Sequence, residues 1–68
     1  MKHVTGKELA KIVQARGWQL ARIHGSHHIF KMVGKRENLV IPIHGNESLK
    51  TGILRSLMKI ADLTESDL

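Results

Sequence analysis

The dipeptide Gly25-Ser26 constrains the fold most, because it separates two runs of strand-forming residues by the length of a tight hairpin turn. Glycine at the first central position of such a turn supplies the positive φ that a type II′ turn requires. The flanking runs, residues 18–24 and 27–33, are rich in large and β-branched side chains, which favour strands. The sequence therefore predicts an antiparallel hairpin that closes at Gly25-Ser26.

Three of the five histidines, His24, His27 and His28, stand beside this turn. Histidine changes charge near neutral pH without help from its surroundings, so a rigidly held, solvent-accessible histidine is a candidate proton-transfer group. Successive residues of a strand point to opposite faces, so His27 and His28 are not expected to act on the same atom. We expect His28 to pack or to form a hydrogen bond within the fold.

Pairing His24 with His27 across the turn would determine which hairpin side chains share a face. Strict alternation then places Leu20 and Arg22 on the face of His27 and Phe30 on the other. Neither face is uniformly apolar, so alternation leaves open which one the helices cover.

A helix is predicted over residues 5–16, before the hairpin. Thr5 and Glu8 have the spacing of a capping box, and Gly17 is suited to a left-handed stop. The apolar residues between these signals recur at helical spacing. The chain therefore begins with a well-delimited amphipathic helix.

A third strand is predicted over residues 39–43, at a sheet edge, because Pro42 has no amide donor. A second helix follows a polar loop, with Asn46 or Ser48 as its expected cap. Residues 64–67 predict a short final turn with its own cap. The apolar stripe of the second helix is predicted to comprise Leu49, Ile53, Leu54, Leu57, Ile60 and Ala61.

The resulting order, α-β-β-β-α, predicts one α+β domain over residues 1–68, with a three-stranded antiparallel sheet and two helices on one face. The double-stranded-RNA-binding domain has the same order, although order alone does not determine function. The chain has no cysteine, and it has no apolar run long enough to cross a membrane. We therefore expect a cytoplasmic protein without disulfides or membrane association.

Charge is distributed unevenly along the chain. There are eleven Lys and Arg residues against six Asp and Glu, and all eleven precede residue 60. A basic body favours a polyanionic partner, with nucleic acid first, although a solvated basic surface would have the same composition. The candidates for contacts with an RNA backbone are Arg22, Lys31, Lys35, Arg36, Lys50 and Arg55.

Four blocks of the chain resemble one family. Residues 25–30 are similar to the G-S-H-[HY]-x-F signature of HicA, the toxin of HicA–HicB toxin–antitoxin systems, and residues 41–44 resemble its V-P-x-H. Residues 52–57 resemble G-T-L-R-x-[IL], except that Ile53 replaces the usual Thr, and residues 63–68 resemble L-[ST]-x-x-[DE]-[FL]. The blocks occur in the family's order.

The resemblance implies a type II toxin that acts in stress responses as an mRNA interferase, which is an endoribonuclease, on a fold like the double-stranded-RNA-binding domain. It implies a reaction through one histidine, without metal or other cofactor, and inhibition by a HicB antitoxin that covers the active site. By position it makes His27 the catalytic residue, with Gly25 and Ser26 forming the turn that presents it. A general acid or base of this kind contributes about 10²–10⁴ in rate.

Two other functions fit the same residues. One is a non-catalytic RNA-binding module of this fold, and the other is a subunit whose basic face docks an acidic protein. A zinc site from His24, His27 and His44 has enough ligands but neither cysteine nor close spacing, so no metal is expected. Trp18 and Phe30 are expected to pack in the core, since they lack the clustering of base-stacking platforms.

Overall fold

The computed structural model describes residues 3–68, so Met1 and Lys2, where the predicted domain begins, lie outside the described residues. The predicted order α-β-β-β-α is confirmed. The elements are α1 (Gly6–Ala15), β1 (Gln19–His24), β2 (His27–Lys31), β3 (Leu39–Pro42), α2 (Thr51–Ala61) and a closing 3₁₀ turn, Glu65–Asp67.

Helix α1 begins at the predicted capping box. The Glu8 amide donates to Thr5 Oγ1 at 3.1 Å, and the Thr5 amide donates to Glu8 Oε1 at 2.9 Å. Val4 and Leu9, on either side of this box, are both buried in the core and occupy the positions of a hydrophobic staple. The first helix therefore has its start specified by local side chains.

The other end of α1 is a Schellman motif. Gly17 has φ +102°, its amide donates to the Gln14 carbonyl at 3.2 Å, and the Trp18 amide donates to the Val13 carbonyl at 3.1 Å. Trp18 thereby enters the core beside Val13, with 2% of its surface exposed. The prediction that the first strand starts at Trp18 was wrong by one residue, since this amide completes the helix terminus.

The sheet has the order β1-β2-β3 with antiparallel neighbours, which confirms that Pro42 lies on an edge strand. Phe30 pairs with Leu39 and His28 with Ile41, so these four side chains share one face. Phe30, Leu39 and Ile41 belong to the same buried core as residues of both helices, so this is the face that the helices cover. His27 lies on the opposite, open face.

Strand β1 departs from strict alternation at Ala21. Arg22 pairs with Ile29, but Leu20 pairs with Phe30, and a bulge absorbs the extra residue. The prediction that Leu20 shares the face of His27 was therefore wrong, because the bulge moves it to the face of Phe30. The prediction that Arg22 shares the face of His27 is confirmed.

The second and third strands are shorter than predicted. Strand β2 ends at Lys31 because the Met32 carbonyl accepts from the Lys35 amide at 3.1 Å, which turns the chain. Val33, placed in the strand by the sequence, is 98% exposed. Strand β3 ends at Pro42, one residue early.

Helix α2 begins at Thr51, and neither Asn46 nor Ser48 caps it as predicted. Its N-cap residue is Lys50, which makes no side-chain capping hydrogen bond. The cause is tertiary, because Ser48 forms a β-bridge with Thr5 and the Leu49 amide donates to the Val4 carbonyl at 2.8 Å. Those contacts hold the segment extended until Lys50.

The apolar stripe of α2 is rotated relative to the prediction. Met58 is buried although it was not predicted to be, and Ile53 is 41% exposed although it was. After the helix, Thr64 and Asp67 form the predicted capped final turn. Across residues 3–68, no helix combines the length and apolar character needed to span a membrane.

Candidate active site

The β1–β2 turn presents His27 at the end of the sheet. Gly25 has φ +59°, and a Cβ added there would meet no atom within 4 Å, so the turn needs glycine for backbone conformation rather than for space. The Ser26 carbonyl accepts from the Ile43 amide at 2.8 Å, which ties the turn to the end of β3. The turn that precedes His27 is therefore joined to β1 and β2 by the chain and to the end of β3 by a hydrogen bond.

The neighbouring histidines point to opposite faces, as predicted. His27 pairs with His24 and Pro42 and is exposed on the open face. His28 pairs with Ile41 on the helix-covered face and is half-buried. The His27 side chain is therefore accessible to a substrate, whereas the His28 side chain is partly covered by the rest of the fold.

A cleft of about 380 Å³ opens beside His27. It lies where the end of the sheet meets the start of α2, and it has both apolar and polar walls. A second histidine lies in the same wall. The lining residues are His27, Pro42, His44, Glu47, Ser48, Leu49, Lys50 and Ile53.

The second histidine is His44, in the loop after β3. Its Nε2 lies 3.5 Å from the Ser26 hydroxyl, with either atom able to donate according to the ring's tautomer. The Glu47 amide donates to the His44 carbonyl at 3.0 Å, which closes a turn behind it. The sequence signal for this placement was a histidine two residues after Pro42, in the block that resembles V-P-x-H.

Two formal charges of opposite sign line the cleft, Lys50 and Glu47. Lys50 stands at the start of α2, whose first turn contains no acidic residue. Amides at the start of a helix carry a partial positive charge and lack partners within the helix. Lys50 and this end of α2 favour an anionic group beside them, whereas the Glu47 carboxylate opposes one.

Lys50 is thus the one residue of the six predicted RNA contacts that lines this cleft. Arg22 and Lys31 lie on the open face of the sheet, since Arg22 pairs with Ile29 and Lys31 follows Ile29 by two residues. That face is shared with His27. The structure therefore brings three of the predicted basic residues to the cleft or to the face beside it.

The remaining three lie elsewhere. Lys35 Nζ donates to Asp62 Oδ2 at 2.6 Å, at the far end of α2, and to the Ile60 carbonyl at 3.4 Å. Arg36 is exposed in the same β2–β3 connection, and Arg55 is exposed on α2 outside the cleft lining. A second cleft, of about 420 Å³, is lined by Lys35, Glu37, Ser56, Lys59, Ile60 and Asp62.

The cleft has no cluster suited to a metal ion. Within residues 3–68, no three His, Asp or Glu side chains converge closely enough to hold one. His24, His27 and His44 therefore do not form the zinc site that their number would allow.

The predicted core role of Trp18 and Phe30 is confirmed, as both are buried.

Comparison with known proteins assigns the family. A search of the curated proteins found no significant match. A family model described as "HicA toxin of bacterial toxin-antitoxin" matches residues 6–63, which extend from the first residue of α1 to the residues after α2. This match includes the hairpin turn, His27 and the whole lining of the cleft. The chain therefore belongs to the HicA toxin family.

Proposed function

We propose that this protein is an endoribonuclease that cleaves mRNA in the cytoplasm, with His27 as a general acid or base. HicA toxins are in general ribonucleases, which makes an RNA phosphodiester the natural substrate class. The observation that carries the proposal is the position of His27. It is exposed beside a turn that is hydrogen-bonded to the end of β3, and it lines a cleft with Lys50.

The chemistry needs few protein groups because RNA carries its own nucleophile. The 2′-hydroxyl attacks the adjacent phosphorus, the bond to the 5′ oxygen breaks, and a 2′,3′-cyclic phosphate remains. His27 would take the 2′-hydroxyl proton or protonate the departing oxygen. Lys50 and the start of α2 would hold the phosphate, whose negative charge they complement. We therefore propose a reaction without a metal ion.

Cleavage of a defined mRNA by wild type and His27→Ala tests the proposal. His24→Ala is a matched control, because His24 is the exposed cross-strand partner of His27 but does not line the cleft. We expect His27→Ala to lose about 10²–10⁴ in rate, and His24→Ala to stay within a few fold of wild type. Wild-type activity should persist in a chelator and should leave cyclic phosphate ends.

A binding measurement with the same RNA distinguishes the proposed ribonuclease from the main alternative function. If wild type binds RNA but releases no fragments, the protein is a non-catalytic RNA-binding module. Equal cleavage by wild type and His27→Ala would overturn the assignment of His27. Cleavage that stops in a chelator and returns with added metal would overturn the metal-independent reaction.

We further propose that an antitoxin inhibits this protein by covering the cleft. HicA toxins have in general a HicB-type antitoxin as partner. Ile53 lines the cleft and is 41% exposed, so an arginine there would obstruct a protein seated on it. We expect Ile53→Arg to weaken antitoxin binding at least tenfold, and Val33→Arg, at a fully exposed position outside the cleft, to leave it unchanged. Equal binding by both variants would place the antitoxin elsewhere.

A further inference from the structure

His44 shares the cleft of His27, and it is held more firmly than its place in a loop suggests. Its side chain contacts the Ser26 hydroxyl at 3.5 Å. Just before His44 in the chain, the Ile43 amide donates to the Ser26 carbonyl at 2.8 Å. Just after it, the Glu47 amide donates to the His44 carbonyl at 3.0 Å. The loop therefore returns His44 to the turn that carries His27.

Both histidines are exposed, so neither is buried in the core of the fold. Ser26 lies between the two positions, since it precedes His27 in the chain and touches His44 through its hydroxyl. A neutral imidazole can accept a proton, and a protonated imidazole can donate one. One ring can then accept a proton while the other donates one.

We propose that His44 is the second proton-transfer group of the cleavage reaction, an inference that rests on the function proposed above. Transesterification of RNA requires two proton transfers. A neutral ring takes the proton of the 2′-hydroxyl as its oxygen bonds to phosphorus. A protonated ring donates its proton to the 5′ oxygen as the P–O5′ bond breaks. His27 and His44 divide these steps, and the charge of the pair is unchanged over the reaction.

The test is the pH dependence of single-turnover cleavage for wild type, His27→Ala and His44→Ala, with His24→Ala as the control. Two groups that act in opposite protonation states predict a bell-shaped profile for wild type. We expect His44→Ala to lose about 10²-fold or more in the cleavage step, to bind RNA within twofold of wild type, and to lose one limb of the bell. His44→Gln checks that the loss does not come from a disturbed loop.

An oligoribonucleotide with sulfur in place of the 5′ bridging oxygen identifies which ring is the acid. A thiolate leaves without a proton, so the variant that lacks the acid should recover most of its rate on this substrate. The variant that lacks the base should not. Recovery by one of His27→Ala and His44→Ala, but not by the other, is the expected result.

The failures of the two proposals are distinguishable. If His27→Ala is inactive while His44→Ala keeps the rate and the bell of wild type, the role of His44 is overturned and that of His27 stands. A His44→Ala defect confined to RNA binding would also overturn it, since that result assigns His44 to substrate binding. If His27→Ala cleaves like wild type, the proposed function fails, and this inference fails with it.

Discussion

The Ser26 hydroxyl lies 3.5 Å from Nε2 of His44, although eighteen residues separate the two in sequence. The contact joins the β1–β2 turn to the loop that leads into α2. It is supported by the Ile43 amide, which donates to the Ser26 carbonyl. The turn that presents His27 and the loop that carries His44 are therefore one connected unit.

Removal of the Ser26 hydroxyl should lower cleavage without unfolding the protein. In Ser26→Ala the backbone hydrogen bond to Ile43 remains, so the turn should persist. A neutral hydrogen bond contributes about 0.5–1.5 kcal/mol net, which corresponds to roughly a two- to tenfold loss in rate. Single-turnover cleavage and circular dichroism measure the two effects. A loss of fold would contradict the positioning role.

Lys50 and Lys35 should differ in their contribution to RNA binding. Lys50 lines the cleft, whereas Lys35 is paired with Asp62 at the far end of α2. We expect Lys50→Ala to weaken binding and to reduce the slope of log K against log salt by about one phosphate contact, roughly 0.7 for a single strand. Lys35→Ala should leave this slope unchanged. Titrations at several salt concentrations provide the measurement, and equal slopes for the two variants would place the RNA elsewhere.

Alanine substitution should change the free energy of unfolding in opposite directions at Gly6 and at Gly52. A Cβ on Gly6 would collide with the Pro42 carbonyl oxygen and lie 2.9 Å from Cγ1 of Ile43, whereas one on Gly52 would meet nothing within 4 Å. Overpacking of this kind costs about 1–3 kcal/mol, so Gly6→Ala should destabilise. Gly52→Ala should stabilise by up to about 1 kcal/mol, because alanine is the better helix former. Urea unfolding compares the two, and a stable Gly6→Ala would show that α1 can move away from β3.

Asp67 should make stability depend on pH in the acid range. The hydrogen bond from the Thr64 amide, with smaller contributions from the Thr64 hydroxyl and the Arg16 guanidinium, holds the pKa of Asp67 below its ordinary value. A folded-state pKa below the unfolded one adds stability above the unfolded value of about 3.9, and that stability is lost as pH falls through the folded value. Wild type should therefore melt above Asp67→Asn at neutral pH, and the difference should shrink below about pH 4. A difference that does not change with pH would contradict this origin.

Sequence reasoning succeeded where hydrogen bonding is local. The capping box of Thr5 and Glu8, the left-handed Gly17 and the tight turn at Gly25 each depend on residues within a few positions of one another. Such features are specified by side-chain chemistry and backbone preference before the chain collapses. The opposite orientations of His27 and His28 follow in the same way from the period of a strand.

Two of the errors lie beyond what the local sequence pattern shows. No residue near Ala21 predicts the bulge that places the Leu20 side chain on the opposite face of the sheet from the predicted one. The start of α2 was placed too early because Ser48 is recruited into a bridge with Thr5. The bridge joins segments 43 residues apart in sequence, a partnership that the local pattern does not contain.

The sequence by itself determined the order of elements, the ends of α1 and the presentation of His27 on a hairpin. The tertiary structure decided what surrounds that histidine. His44 and Lys50 reach the cleft because the chain after β3 is held extended by the segment before α1, which sets where α2 begins. Hydrogen bonds between residues far apart in sequence form only when the sheet and helices pack, so no local pattern encodes them.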